Sequence, residues 1–271
     1  MKVWKGLFKK EWAIIKWGII ALALLNIVVV LLGPSIIHAV FGVPQDVFNN
    51  TLVIVETWLY FNIFVGVGVL LTSLGHEMKR LDIWLHSPAS MLRLVVAKAL
   101  FATVVTGTLL LLGGGLLGIS FLLSDAIGTI SISNGILSVL SVLIELFLNS
   151  IVVMALGFFI WSIYQVIYSR TGNLSGFVTT SLVFLGAAMG LYLSEAWGIG
   201  RAFASLFQAA DKFGPVKFTD VQVFKLHYSY LFTGIAPEGV VFSIGSFLLG
   251  GLFTVLLFVA GSMLFEKKVR L

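Results

Sequence analysis

The sequence predicts an all-α integral membrane protein with six transmembrane helices. Three observations carry that prediction. Hydrophobic residues make up 59% of the 271-residue chain and charged residues only 11%, whereas a soluble domain carries about 25% charged residues. The apolar residues fall in runs that match or exceed the roughly 20 residues a helix needs to cross a bilayer. Basic residues gather at alternate gaps between those runs. The spans read as 17–33, 51–75, 94–123, 135–168, 174–195 and 240–264. They and their connections use nearly the whole length, so 1–271 reads as a single transmembrane domain.

Residues 1–16 come first. Trp4, Leu7, Phe8, Trp12 and Ile15 fall on one helical face, and Lys2, Lys5, Lys9 and Lys10 lie mostly opposite. That pattern predicts a basic amphipathic helix in the membrane interface, leading into the first span. Its charged lead-in is too long for a signal peptide.

Between the second and third spans lies His76–Arg93, HEMKRLDIWLHSPASMLR. A charged stretch between two spans faces water. Met78, Leu81, Trp84 and Leu85 recur at helical spacing, while Lys79, Arg80, Asp82 and His86 fall largely on the other side. Ser87-Pro88 reads as an N-cap followed by proline at the first helical position. The segment predicts a short amphipathic helix parallel to the membrane. Its apolar stripe suits docking of a partner, whereas a plain solvated turn has no need of Trp84.

Basic residues fix the orientation. Lys2, Lys5, Lys9, Lys10 and Lys16, then Lys79, Arg80, Arg93 and Lys98, then Arg170, then Lys267, Lys268 and Arg270 share one side. Arg201, Lys212, Lys217 and Lys225 lie on the other. The positive-inside rule places both termini and residues 76–93 in the cytoplasm. A net charge of +5 concentrated at membrane edges fits anionic lipid headgroups, not nucleic acid. Trp58, Tyr60, Trp161, Tyr164, Tyr168, Tyr192 and Trp197 stand near span ends, as interface anchors do.

The segment 196–239 is the long outer connection. Phe203, Leu206, Phe207 and Phe213 give it an apolar helical stripe, which predicts a re-entrant lid packed against the spans. Residues 216–230 are aromatic-rich with partial alternation and fit helix and strand equally. Gly113-Gly114-Gly115 in the third span allows close helix approach or a kink, and close packing is the simpler reading.

Few polar residues lie deep in the spans: Asn26, Asn62, Glu145 and Asn149. Glu145 and Asn149 are four apart and share a helix face. An ionisable group at that depth faces a bundle interior or a wet cavity. The four residues are candidates for a translocation path; the alternative is interhelical hydrogen bonding, which is the commoner role of intramembrane Asn. No G-x-x-x-x-G-K-[ST] occurs, so no nucleotide is expected to bind through a P-loop. His76-Glu77 lacks the second His of a zincin, no nucleophile elbow is present, and four scattered His with no Cys predict no metal site.

Together these parts resemble the membrane subunit of a type-2, exporter-type ABC transporter. The resemblance rests on the N-terminal interfacial helix, the six spans, the short helix after the second span and the long insertion before the sixth. Leu81–Ala89, LDIWLHSPA, with the basic Ser90–Lys98, looks like the coupling region of small permeases from Gram-positive bacteria, and Leu264–Leu271, LFEKKVRL, looks like their closing segment. Within that group, subunits exporting amphipathic peptide toxins such as phenol-soluble modulins look most similar.

The resemblance implies two permeases, as a homodimer, with two separate ATPase subunits. Those subunits bind ATP and Mg, and this chain is itself no enzyme. It implies a coupling helix docked on the ATPase through Glu77, Lys79, Arg80, Asp82, Trp84, Leu85 and His86. It also implies a bacterial plasma-membrane location and export of amphipathic peptides or lipid-like drugs. The competing reading is a non-ABC six-span protein, either a secondary transporter or an immunity or signalling subunit. A secondary transporter would show an inverted repeat and paired midplane charges, and neither is visible here.

Overall fold

The computed structural model describes residues 2–41, 55, 58–78, 91–122, 132–171, 177–182, 185, 215–217, 233–236 and 239–269. Five long helices and a small sheet make up this part. We label them α1 (Lys2–Phe41), α2 (Val65–Met78), α3 (Met91–Leu122), α4 (Ile132–Thr171), β1 (Pro215–Lys217), β2 (Thr233–Ala236), β3 (Gly239–Ser243) and α5 (Ile244–Val269). Five segments have the length and hydropathy of membrane spans: Gly6–Gly33, Trp58–Met78, Leu92–Ile119, Val139–Tyr168 and Phe247–Glu266. Of the expected span 174–195, only residues 177–182 and 185 are described, and they are helical.

Several boundaries differ from the sequence reading. The expected interfacial helix 1–16 and span 17–33 are one continuous helix of 40 residues. Nothing between them breaks the pattern, and α1 even continues through Pro34, which a membrane helix tolerates at the loss of one backbone bond. Glu11 and Ile15 are buried and Trp12 is 47% exposed, so the inward stripe runs Phe8, Glu11, Ile15.

The second span is interrupted. Residues 58–62 are helical, Ile63 and Phe64 form a turn, and α2 then runs past the expected end at residue 75 to Met78. The last span starts later than expected, because residues 240–243 belong to β3.

The sheet adds a β element to an otherwise helical fold. Its order is β1-β3-β2, antiparallel throughout. Pro215 pairs with Ser243 and Thr233 with Phe242, and Ala236 pairs with Gly239. Two residues separate β2 from β3, the length of a tight hairpin. Val240, Val241 and Phe242 are β-branched or aromatic and suit a pleated strand better than a helix start.

The helices α3 and α4 form the centre of the bundle, and α1 and α5 flank it. About half of the α3 and α4 span windows is buried, against 17% for those of α1 and α5. One core cluster joins Ile15, Leu70, Leu74, Val95, Ala102, Phe158 and Phe265. Trp161 packs on Phe265 at 5.2 Å between ring centroids, and Phe8 meets Phe101 edge-on at 5.7 Å. The second cluster joins Val30, Leu59, Ile63, Leu110, Leu117, Leu143 and Leu146. Helix polarity alternates along the bundle, so the N-terminus of α1, the ends of α2 and α4 and the start of α3 share one end. We term this the basic end.

Glycines let the helices approach closely. A Cβ on Gly113 would lie 2.8 Å from Leu59 Cδ2, one on Gly114 2.4 Å from Leu143 Cδ1, and one on Gly157 2.1 Å from Val67 Cγ2. The run 113–115 therefore serves packing, and α3 passes through it unbroken. Gly115 faces open space. Leu59 and Leu143 can swing away, but Val67 is β-branched and stiff. Gly157→Ala is expected to destabilise the fold by about 1–3 kcal/mol through overpacking, read as a lower melting temperature in detergent. Gly115→Ala should leave that temperature unchanged or raise it, since alanine is the better helix former by about 1 kcal/mol.

Candidate functional site

The densest polar cluster lies at the basic end and joins three helices. Ser73 and Glu77 are one helical turn apart on α2, so both point the same way. Lys10 and Glu11 come from α1, and Lys98 from α3. Lys98 Nζ lies 2.5 Å from Glu11 Oε1 and 3.2 Å from Glu77 Oε1. It also donates to Ser73 Oγ at 2.5 Å, and the Ser73 hydroxyl donates to Glu11 Oε2. Lys10 Nζ lies 2.5 Å from Glu77 Oε1.

Burial grades across the cluster. The side chains of Glu11 and Lys98 are 3% and 4% exposed, that of Glu77 10%, and that of Lys10 50%. Among the described residues two carboxylates face two ammonium groups, so their formal charges balance. Each buried ion carries a desolvation cost of several kcal/mol, which only good geometry and complete hydrogen bonding offset. Lys98 has two carboxylates and a hydroxyl for its three protons.

A second knot lies further along the same helices. Asn62 Nδ2 donates to Asn26 Oδ1 at 3.0 Å, and Asn26 Nδ2 donates to Asn62 Oδ1 at 3.3 Å. Trp58 Nε1 donates to the same Asn26 oxygen at 2.9 Å. Each asparagine also donates to a backbone carbonyl one turn back, Leu22 at 2.8 Å and Trp58 at 3.1 Å. Both are fully or almost fully buried. Through that bond the ring nitrogen of Trp58, an expected interface anchor, points at α1.

The remaining candidate residues are distributed as follows. Glu145 and Asn149 are buried on α4, and Asn149 Nδ2 has no hydrogen-bond partner among the described residues. Leu143 meets Gly114 of α3, and Glu145 follows two residues later, about 200° further round the helix. The Glu145–Asn149 face therefore points away from α3, whereas Asn26 and Asn62 bond to each other on the α1 side. The structure bonds Asn26 to Asn62, and Glu145 and Asn149 stand about one turn apart on α4. Of the docking set, Glu77 is in the ionic cluster. Lys79, Arg80, Asp82, Trp84, Leu85 and His86 lie outside the described residues, as do Phe203, Leu206, Phe207 and Phe213. Among the described residues no group of three metal-ligating side chains gathers.

Sequence reasoning missed Glu11, Ser73 and Lys98. One signal was present: Glu11 stands three residues after Phe8 and four before Ile15, an acid on the apolar stripe. An acid there needs a buried cation, and by sequence Lys98 is indistinguishable from the other positive-inside charges.

A groove of about 400 Å³ opens between α3 and α4, lined by Thr103, Val104, Gly107, Leu111, Leu140 and Phe147 among others. The hydroxyls of Thr103 and Thr108 donate to the carbonyls of Ala99 and Val104 at 2.9 and 2.8 Å. Their methyls are left for the wall, and the groove is apolar.

The ionic cluster gives two contrasting expectations. Lys98→Met strands a buried Glu11 and should cost about 3–5 kcal/mol, seen as a large fall in detergent melting temperature. Lys10→Ala removes a half-exposed partner and should cost no more than about 1 kcal/mol. Equal effects of the two substitutions would mean that burial does not grade the network. Comparison of the chain with protein-family models, with curated proteins and with solved structures finds no match.

Proposed function

We propose that this chain is the membrane subunit of an ATP-driven exporter, worked by a separate ATPase that docks on residues 76–93. The observation that carries the reading is the place of Glu77. It opens the charged segment and is joined to Lys10 of α1 and Lys98 of α3. A push delivered at 79–90 would reach three spans through that carboxylate. The five helices of span length supply the membrane part. Trp84 and Leu85 supply the apolar anchors, and Lys79, Arg80, Asp82 and His86 the polar rim of such a dock. Two permeases and two ATPases make the working unit, and ATP and Mg belong to the partner.

The cargo reading follows from what the spans lack. Charged cargo loses hydration without finding a partner on Leu-, Val- and Phe-rich walls. Amphipathic peptides and lipid-like drugs have an apolar face for such walls. Glu145 would then draw the cationic face of a peptide, with Asn149 beside it.

The test is reconstitution with a candidate ABC ATPase subunit from the same genome. ATP hydrolysis is expected to rise on addition of a cationic amphipathic helical peptide. Trp84→Ala should reduce co-purification of the ATPase and abolish that rise. Glu145→Gln should require about five- to tenfold more peptide for half-maximal stimulation, equivalent to about 1–1.4 kcal/mol. An ATPase that neither binds nor responds would defeat the exporter reading and favour a secondary transporter or a signalling subunit. An unchanged peptide response in Glu145→Gln would make Glu145 a packing residue.

A further inference from the structure

We infer that α1 is a splint: it holds the second span at one fixed angle across its break, through two polar pins on either side of that break. The inference does not rest on the exporter reading. It concerns the bundle alone.

The break needs a cause, and proline is not it, because none lies in 58–78. Ile63 N–H donates to Tyr60 O and Phe64 N–H to Phe61 O, both at 3.1 Å, before Gly68 N–H resumes the helical pattern with Phe64 O at 3.0 Å. Two tight i→i−3 turns thus replace α-helical ones. Asn62 lies immediately before them and gives its side-chain amide to Trp58 O. A side chain entering the backbone ladder is a recognised cause of a kink. Gly66 and Gly68 follow, and glycine resists bending least of all residues. The span is therefore built from two rigid pieces with a pliable joint.

Both pieces are tied to the same rod. The piece before the joint bonds to Asn26 through Trp58 and Asn62. The piece after it bonds to α1 through Ser73–Glu11 and Glu77–Lys10. Glu11 and Asn26 are 15 residues apart on an unbroken helix, about 22 Å. Two fixed points on a stiff rod leave the joint no free angle. The helix α3, packed along α1, repeats the spacing. Lys98 reaches the lower pin, and a Cβ on Gly113, again 15 residues on, would lie 3.5 Å from Asn26 Oδ1. The broken span is thus met at the same two levels by two continuous rods, α1 and α3, which also pack on each other.

Loss of either pin should free the joint. The Ser73→Ala/Glu77→Ala double variant removes the lower pin while leaving the buried Glu11–Lys98 pair intact, so it avoids stranding a charge. Asn26→Leu removes the upper pin. Hydrogen exchange of the purified full chain in lipid nanodiscs, followed by mass spectrometry, reads the joint directly. Each variant is expected to raise exchange in peptides covering 58–70 by about five- to tenfold, as local opening becomes easier. Peptides from α4, 139–168, should exchange as in the wild type. The inference is overturned if exchange over 58–70 is unchanged in either variant, because a splint needs both pins. It is equally overturned if α4 loosens to the same degree, which would mean general loss of packing. Neither readout involves an ATPase or a cargo, so this outcome is separate from that of the reconstitution.

Discussion

Polar groups inside an apolar bundle must find partners within it, and this constraint decides where the helices of the chain can sit. Lys98 is its sharpest instance. An ammonium that is 4% exposed is tolerable only where carboxylates meet it, and those carboxylates come from two other helices. The depth of α1 and α2 relative to α3 is thereby fixed at one level. Asn26 and Asn62 repeat the arrangement at a second level without charge. Single hydroxyls follow the same rule locally: Thr106, Ser162, Thr254 and Ser262 each donate to the carbonyl one turn back. They need no neighbour and impose no alignment. Alignment is set by the few groups that their own helix cannot satisfy.

Apolar packing completes what the polar knots position. Gly114 and Gly157 bring α3 and α2 close to α4, so that Leu143 and Val67 fill the space that side chains would occupy. Between lipid-embedded helices, close contact of this kind replaces the hydrophobic drive, since lipid is as apolar as leucine. The flanks α1 and α5 bury little and present rows of Leu, Val and Phe outward, as the outer helices of a bundle in lipid must.

Much of the helical framework was legible because hydropathy is a long-range average, and five of the six expected spans overlap described segments of span length. What escaped were events set by single residues. No average marks the turn at Ile63–Phe64, since Ile and Phe are as apolar as their neighbours and the cause lies in how Asn62 bonds. The strand at 239–243 merged into the last span because Val and Phe suit both states, and only pairing with Pro215–Lys217 and Thr233–Ala236 separates them. For Asn26 and Asn62 the sequence leaves both roles open, and their mutual bonds supply the interhelical one. The ionic cluster was missed because its bonded partners on different helices lie 21 to 87 residues apart, and sequence spacing within one helix says nothing of a partner on another.

The length of α1 has a consequence for the surrounding membrane. Its 40 residues extend about 60 Å, twice the roughly 30 Å hydrocarbon thickness. A lone helix of that length meets a thinner or thicker bilayer by tilting on its own. Here α1 is fastened at Glu11 and at Asn26, so its tilt is shared with α2 and α3. A change in bilayer thickness must then rotate three helices as one body. The bundle converts lipid composition into a collective inclination, and Trp12 and Trp17, exposed at 47% and 73%, mark where the interface would take hold of it.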